Sequence, residues 1–87
     1  MADIIFTEKG WQHYVEWQTE DKKTLKKINK LLKSIERNGP MGGEGKPEKL
    51  SYDPGAYSRH IDEANRLVYE VSGDQIKVKA CKGHYND

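Results

Sequence analysis

The sequence predicts an α+β domain: an N-terminal strand, two helices, then a twisted antiparallel sheet of three to four strands. Three observations lead there. Apolar residues recur at helical spacing in the first half, the stretch "NGPMGGEGKP" interrupts the chain, and alternating β-rich runs fill the second half. The 87 residues give room for a single domain, 1–87, with a lean core. Only 34% of residues are hydrophobic and 33% are charged, but two Trp and five Tyr supply large units for burial. Order rather than disorder is expected.

"DIIF" is short and apolar and opens the fold as a strand. Thr7 is placed to cap a first helix, where Trp11, Tyr14 and Val15 recur at helical spacing and are expected in the core. Thr19 or Asp21 caps a second helix, with Leu25, Ile28, Leu31, Leu32 and Ile35 on one face and basic residues on the other. Gly39 and Pro40 end it, since glycine accepts the left-handed cap conformation and proline cannot continue a helix. The loop "NGPMGGEGKP", which includes them, holds four of the eight glycines and two of the three prolines. It is no phosphate-binding P-loop: that motif needs Gly where Pro40 stands and Ser or Thr where Pro47 stands.

The runs "AYSRHI", "RLVYEV" and "QIKVKAC" read as strands separated by the turns "DEAN" and "SGD". Alternation puts Leu67, Tyr69 and Val71 on one face and Arg66, Val68 and Glu70 on the other. In the last strand it sets Ile76, Val78 and Ala80 against Lys77, Lys79 and Cys81. One sheet face is expected to pack on the helices while the other is polar and basic.

A single cysteine makes no internal disulfide, and "MADIIFTEKG" has neither the basic start nor the apolar run of a signal peptide. The cytoplasm is therefore the expected compartment, with no membrane partner. Net charge is only +1, but Lys22, Lys23, Lys26, Lys27, Lys30, Lys33 and Arg37 share their segment with one acid, Glu36. The local field is strong although the total is small.

Several residues could carry chemistry. Arg59 and Arg66 flank "DEAN", and their guanidinium forks suit phosphate oxygens; equally, they could pair with Glu70 or helix acids. Glu48 lies between Lys46 and Lys49 and is either a general base beside a phosphate site or a solvated loop residue. His84 and Tyr85 bring an imidazole, a hydroxyl and an aromatic face, although a His-Tyr pair near a terminus can also be ornament. Cys81 and His84 form only half of a zinc site, and Cys81 reads more simply as a small strand residue. His13 and His60 have no evident partner in the sequence.

Together "EWQTEDKKTLKKINKLLKSIERN", "GEGKPEKL", "YSRHIDEANRLVYEV" and "ACKGHY" resemble the YoeB/Txe branch of the RelE-like toxins, from about residue 4 to residue 85. The resemblance implies a RelE/YoeB-like fold and a toxin that cuts messenger RNA in the ribosomal A site. The substrate's own 2′-hydroxyl would be the nucleophile, with no metal or cofactor. It implies a cognate YefM/Axe-like antitoxin and the ribosome, with its mRNA and rRNA, as partners, and it is compatible with a homodimer. Carried over residue by residue, the catalytic set is Glu48, Arg66, His84 and Tyr85. Lys46, Lys49, Arg59 and His60 are then the RNA-binding residues. His60 stands where the family's "SRRI" pattern has its second arginine. Lys22, Lys26, Lys30, Lys33 and Arg37 recur about once per turn, as expected of a ridge that docks on ribosomal RNA. Two other readings stay open: a ParE-like toxin that binds a protein target, and an RNA-binding module without catalysis.

Overall fold

Thr7 turns the chain from strand to helix. In the computed structural model, which describes residues 2–84, its hydroxyl accepts a hydrogen bond from Gly10 N–H. This separates strand β1 (Asp3–Phe6) from helix α1 (Glu8–Glu20). Asp21 does the same for α2 (Lys22–Asn38): its carboxylate accepts from Lys23 N–H and from the Thr24 hydroxyl. The Thr24 bond is the chief cause that holds the Asp21 carboxyl below its ordinary range. Gly39, with φ 83°, closes α2.

The loop leads into β2 (Glu48–Lys49), β3 (Ala56–His60), β4 (Arg66–Ser72) and β5 (Gln75–Ala80). These form one sheet in the order β1-β5-β4-β3-β2, antiparallel throughout except that β1 lies parallel to β5. The four-strand meander after the helices agrees with the sequence expectation. The seat of β1 beside the last strand is additional.

Both helices cover one face of the sheet. Ile28, Leu31, Leu32 and Ile35 of α2 meet Leu67, Tyr69, Ile76 and Val78 in the main core. The inward face of α1 differs from the one expected: it is Gly10 and Trp17, with Tyr14 half-buried, while Trp11 and Val15 are exposed. Gly10 explains the rotation. A Cβ at that position would overlap the Val78 carbonyl, so only glycine lets α1 lie this close to β5. That approach aims Trp17 inward, where its Nε1–H donates to the Cys81 carbonyl at 2.8 Å. Trp11 is left on the flank, edge-on to Phe6.

A register shift between Val68 and Tyr69 corrects the face assignment at the end of β5. Tyr69 pairs with Val78 but Val68 pairs with Ala80, so Lys79 is an extra residue, a β-bulge. Beyond it the alternation inverts. Ala80 joins Ala56 and Val68 in a small cluster on the outer face, and Cys81 enters the main core. Burial pushes the Cys81 thiol up to about 12, which suits a small core side chain rather than a zinc-ligating thiolate.

Candidate active site

The outer face carries two polar groups of residues, one toward each end. At one end the amine of Lys79 is held by Asp53 and Glu70, and Glu70 also pairs with Lys77. Lys79 is kept protonated above its ordinary range, first by the Asp53 hydrogen bond. Its charge is met within the protein.

The other end is more open. The register sets Glu48 opposite Ser58 and His60 opposite Arg66, and alternation points Glu48, His60 and Arg66 to the same outer side. The Glu48 carboxylate lies 3.7 Å from His60 Nε2, with the Glu48 side chain 62% exposed. Arg66 is half-buried. Among the described residues its side-chain hydrogen bonds all come from Nη1, which donates to the carbonyls of Asp62, Glu63 and Asn65. Nε and Nη2 are thus left for an outside acceptor.

The turn that grips Arg66 also brings in the chain end. Asp62 Oδ1 accepts from the backbone N–H groups of Ala64 and Asn65, a local turn of the kind aspartate favours. Asn65 Oδ1 then accepts from Gly83 N–H at 2.8 Å, and Arg66 N–H donates to the Gly83 carbonyl at 2.9 Å. His84, the next residue, is exposed at the Arg66 end of the sheet. Tyr85 lies outside the described residues. Asn65 was not singled out in the sequence, although Asp62 and Asn65 three residues apart in "DEAN" are the signature of such a turn.

Lys46 precedes this group in an exposed left-handed conformation, φ 51°. Lys49 is exposed, but alternation along β2 turns it away from the Glu48 side. Arg59 requires a correction. It is fully buried on the inner face and has no surface to offer a phosphate. Its Nε donates to the Tyr69 hydroxyl at 2.8 Å, Nη1 to Ser34 Oγ and the Glu44 carbonyl, and Nη2 to the carbonyls of Gly39 and Pro40. A buried charge survives only when its donors are satisfied, and this one ties the glycine-rich loop to α2 and β4. An odd place in the β3 alternation puts it inside.

Lys22, Lys26, Lys30, Lys33 and Arg37 are exposed along α2. Lys30 pairs with Glu44 at 3.5 Å, so the ridge reaches the loop that carries Lys46. His13 proves to have a partner: its Nδ1 accepts from Cys81 N–H at 3.1 Å. Desolvation, then the nearby Lys9, holds its imidazole below the ordinary range.

A small antiparallel meander under two helices is a fold that also occurs in distant proteins. The Escherichia coli YafQ of the DinJ–YafQ complex matches it with TM-score 0.70 at 21% identity, over 97% of this chain and 94% of that one. Closer matches narrow the class. The profile of the YoeB-like toxin of the bacterial type II toxin–antitoxin system fits residues 6–85. Toxin YoeB of Escherichia coli K12 is 45% identical over 83 residues, 94% of this chain and 98% of its own. A Staphylococcus aureus YoeB, solved in a heterotetrameric YoeB–YefM complex, superposes with TM-score 0.91 at 50% identity, covering 98% and 99% of the two chains. Another Staphylococcus aureus structure, a YoeB dimer, gives TM-score 0.92 at 50% identity over 97% and 98%. The chain belongs to the YoeB-like toxins of bacterial type II toxin–antitoxin systems.

Proposed function

We propose that this toxin is a ribosome-dependent endoribonuclease that cleaves mRNA in the A site and so stops translation. The observation that carries the reading is the convergence of Glu48, Arg66 and the Gly83–His84 segment at one end of the outer sheet face. Scission of RNA needs a base, a cation and an acid around one phosphate, and this end supplies one of each. Glu48 takes the proton of the 2′-hydroxyl; O2′ bonds to phosphorus as the P–O5′ bond breaks. His84 protonates the departing O5′, leaving a 2′,3′-cyclic phosphate and a 5′-hydroxyl. Arg66 offers Nε and Nη2 to the phosphate oxygens as charge builds on them. Tyr85 stacks on a neighbouring base, and Lys46 meets a flanking phosphate.

Docking on ribosomal RNA falls to the α2 ridge, and the ribosome then holds the message in reacting geometry. In the cytoplasm the toxin is silenced by an antitoxin of the YefM kind, as the complex of its Staphylococcus aureus relative suggests. An acidic segment laid over the Arg66 end, or displacing the tail, removes activity without unfolding the domain. A homodimer like that of the relative is compatible with this assignment.

The test is single-turnover cleavage of message on programmed ribosomes. Wild type should cleave, whereas His84→Gln should bind equally but cleave at least about a hundredfold more slowly. Equal rates would remove His84 from the chemistry. No cleavage by wild type, with ribosome binding intact, would favour a binding toxin.

A further inference from the structure

The Glu48 carboxylate does not stand alone. His60 Nε2 is 3.7 Å from Glu48 Oε1, and both side chains share the face and the end of the sheet that carry Arg66. We propose, on the basis of the ribonuclease reading above, that the general base of this toxin is the Glu48–His60 pair rather than Glu48 by itself. A small rotation shortens the contact to a hydrogen bond, and catalytic hydrogen bonds are commonly loose before substrate arrives.

The placement is built by the backbone. His60 N–H donates to the Gly45 carbonyl at 2.7 Å, which fixes β3 against the strand that starts at Glu48. The charged groups placed at the imidazole are Glu48 from β2 and Arg66 across from β4. With Glu48 present, the imidazole holds the carboxylate in one orientation and takes part of its proton. With Glu48 removed, His60 Nε2 is left to accept the 2′-hydroxyl proton directly. Either way one proton leaves O2′, one O–P bond forms, one P–O5′ bond breaks and His84 returns a proton to O5′. An imidazole nitrogen can both donate and accept a hydrogen bond, so it can serve in both capacities.

The experiment is a double-mutant cycle read by single-turnover cleavage on programmed ribosomes. Glu48→Gln should slow cleavage about a hundredfold and His60→Gln about tenfold. If either group takes the proton when the other is absent, Glu48→Gln/His60→Gln should lose about 10⁴-fold or more, beyond the product of the singles. A double variant no slower than the product, or no slower than Glu48→Gln alone, overturns the proposal. So does ribosome affinity that falls in step with the rate of His60→Gln. His60→Asn, checked for an unchanged melting temperature, repeats the cycle with a shorter amide. Failure of the wild type to cleave would instead overturn the ribonuclease reading itself.

Discussion

Arg59 and Arg66 flank the same turn, seven residues apart on neighbouring strands, yet they live in opposite environments. Arg59 is fully buried and spends Nε, Nη1 and Nη2 on Tyr69, Ser34 and three loop carbonyls. Arg66 is half-buried and, among the described residues, commits Nη1 alone. The same side chain is mortar on one face of the sheet and stands partly open to solvent on the other. Chemistry does not separate them; strand parity does, because each step along a strand reverses the face.

The largest effect that tests this contrast is on stability. Arg59→Ala leaves a set of buried acceptors without donors and should cost about 3–5 kcal/mol, read by urea denaturation. Such a loss would unfold much of a small domain's population, so activity falls only because the fold does. A change under about 1 kcal/mol would mean water replaces the guanidinium freely. Arg66→Ala should do the reverse. Its melting temperature should stay near wild type while single-turnover cleavage drops by about 10²–10³-fold, the scale of losing one charge-stabilising donor. Arg66→Lys should recover only part of that rate, since it restores the charge without the fork.

A smaller effect sharpens the contrast between the sheet end and the helical ridge. Reversing Lys26, Lys30 and Lys33 to Glu should leave the chemical step intact but weaken ribosome binding. It should also flatten the salt dependence, by close to one unit of log–log slope for each lost phosphate contact. Equal binding at two salt concentrations would make the ridge a solubilising surface. The smallest effect concerns His13. Its folded value lies below the ordinary 6.5, chiefly through desolvation, so its contribution to stability is full above pH 6.5. That contribution is lost as pH falls through the lowered folded value, because the unfolded chain takes up the proton first. His13→Gln should flatten this acid-side decline in melting temperature, since an amide oxygen still accepts from Cys81 N–H.

Much of the fold was legible in the sequence because its signals are local. The Thr7 and Asp21 caps, the apolar face of α2, and the stop at Gly39 each depend on a few neighbouring residues. The features missed depend on distant ones. The rotation of α1 is set by how closely Gly10 meets Val78, so Trp17 rather than Trp11 or Val15 reaches the core. The bulge at Lys79 exchanges the faces of Ala80 and Cys81 through a pairing with β4 that no single strand announces. Glu48, Arg66 and His84 could be nominated by type and by family resemblance. Their meeting place required the register of β2, β3 and β4 and the Asn65 bond to Gly83.

The pairing of β1 with β5 also bears on how the molecule is made. Its first strand has no seat until its fifth has been synthesised, so the opening residues wait through the rest of translation for their partner. Contacts of such separation form late, because the chain between them must first be closed into a loop. The clamp from Asn65 and Arg66 onto Gly83 has the same dependence. A nascent chain that has not yet cleared β5 from the exit tunnel therefore lacks both a closed sheet and the Gly83 end of that clamp. The parallel edge at β5 and the clamp at Arg66 are thus completed together, only when the last strand emerges.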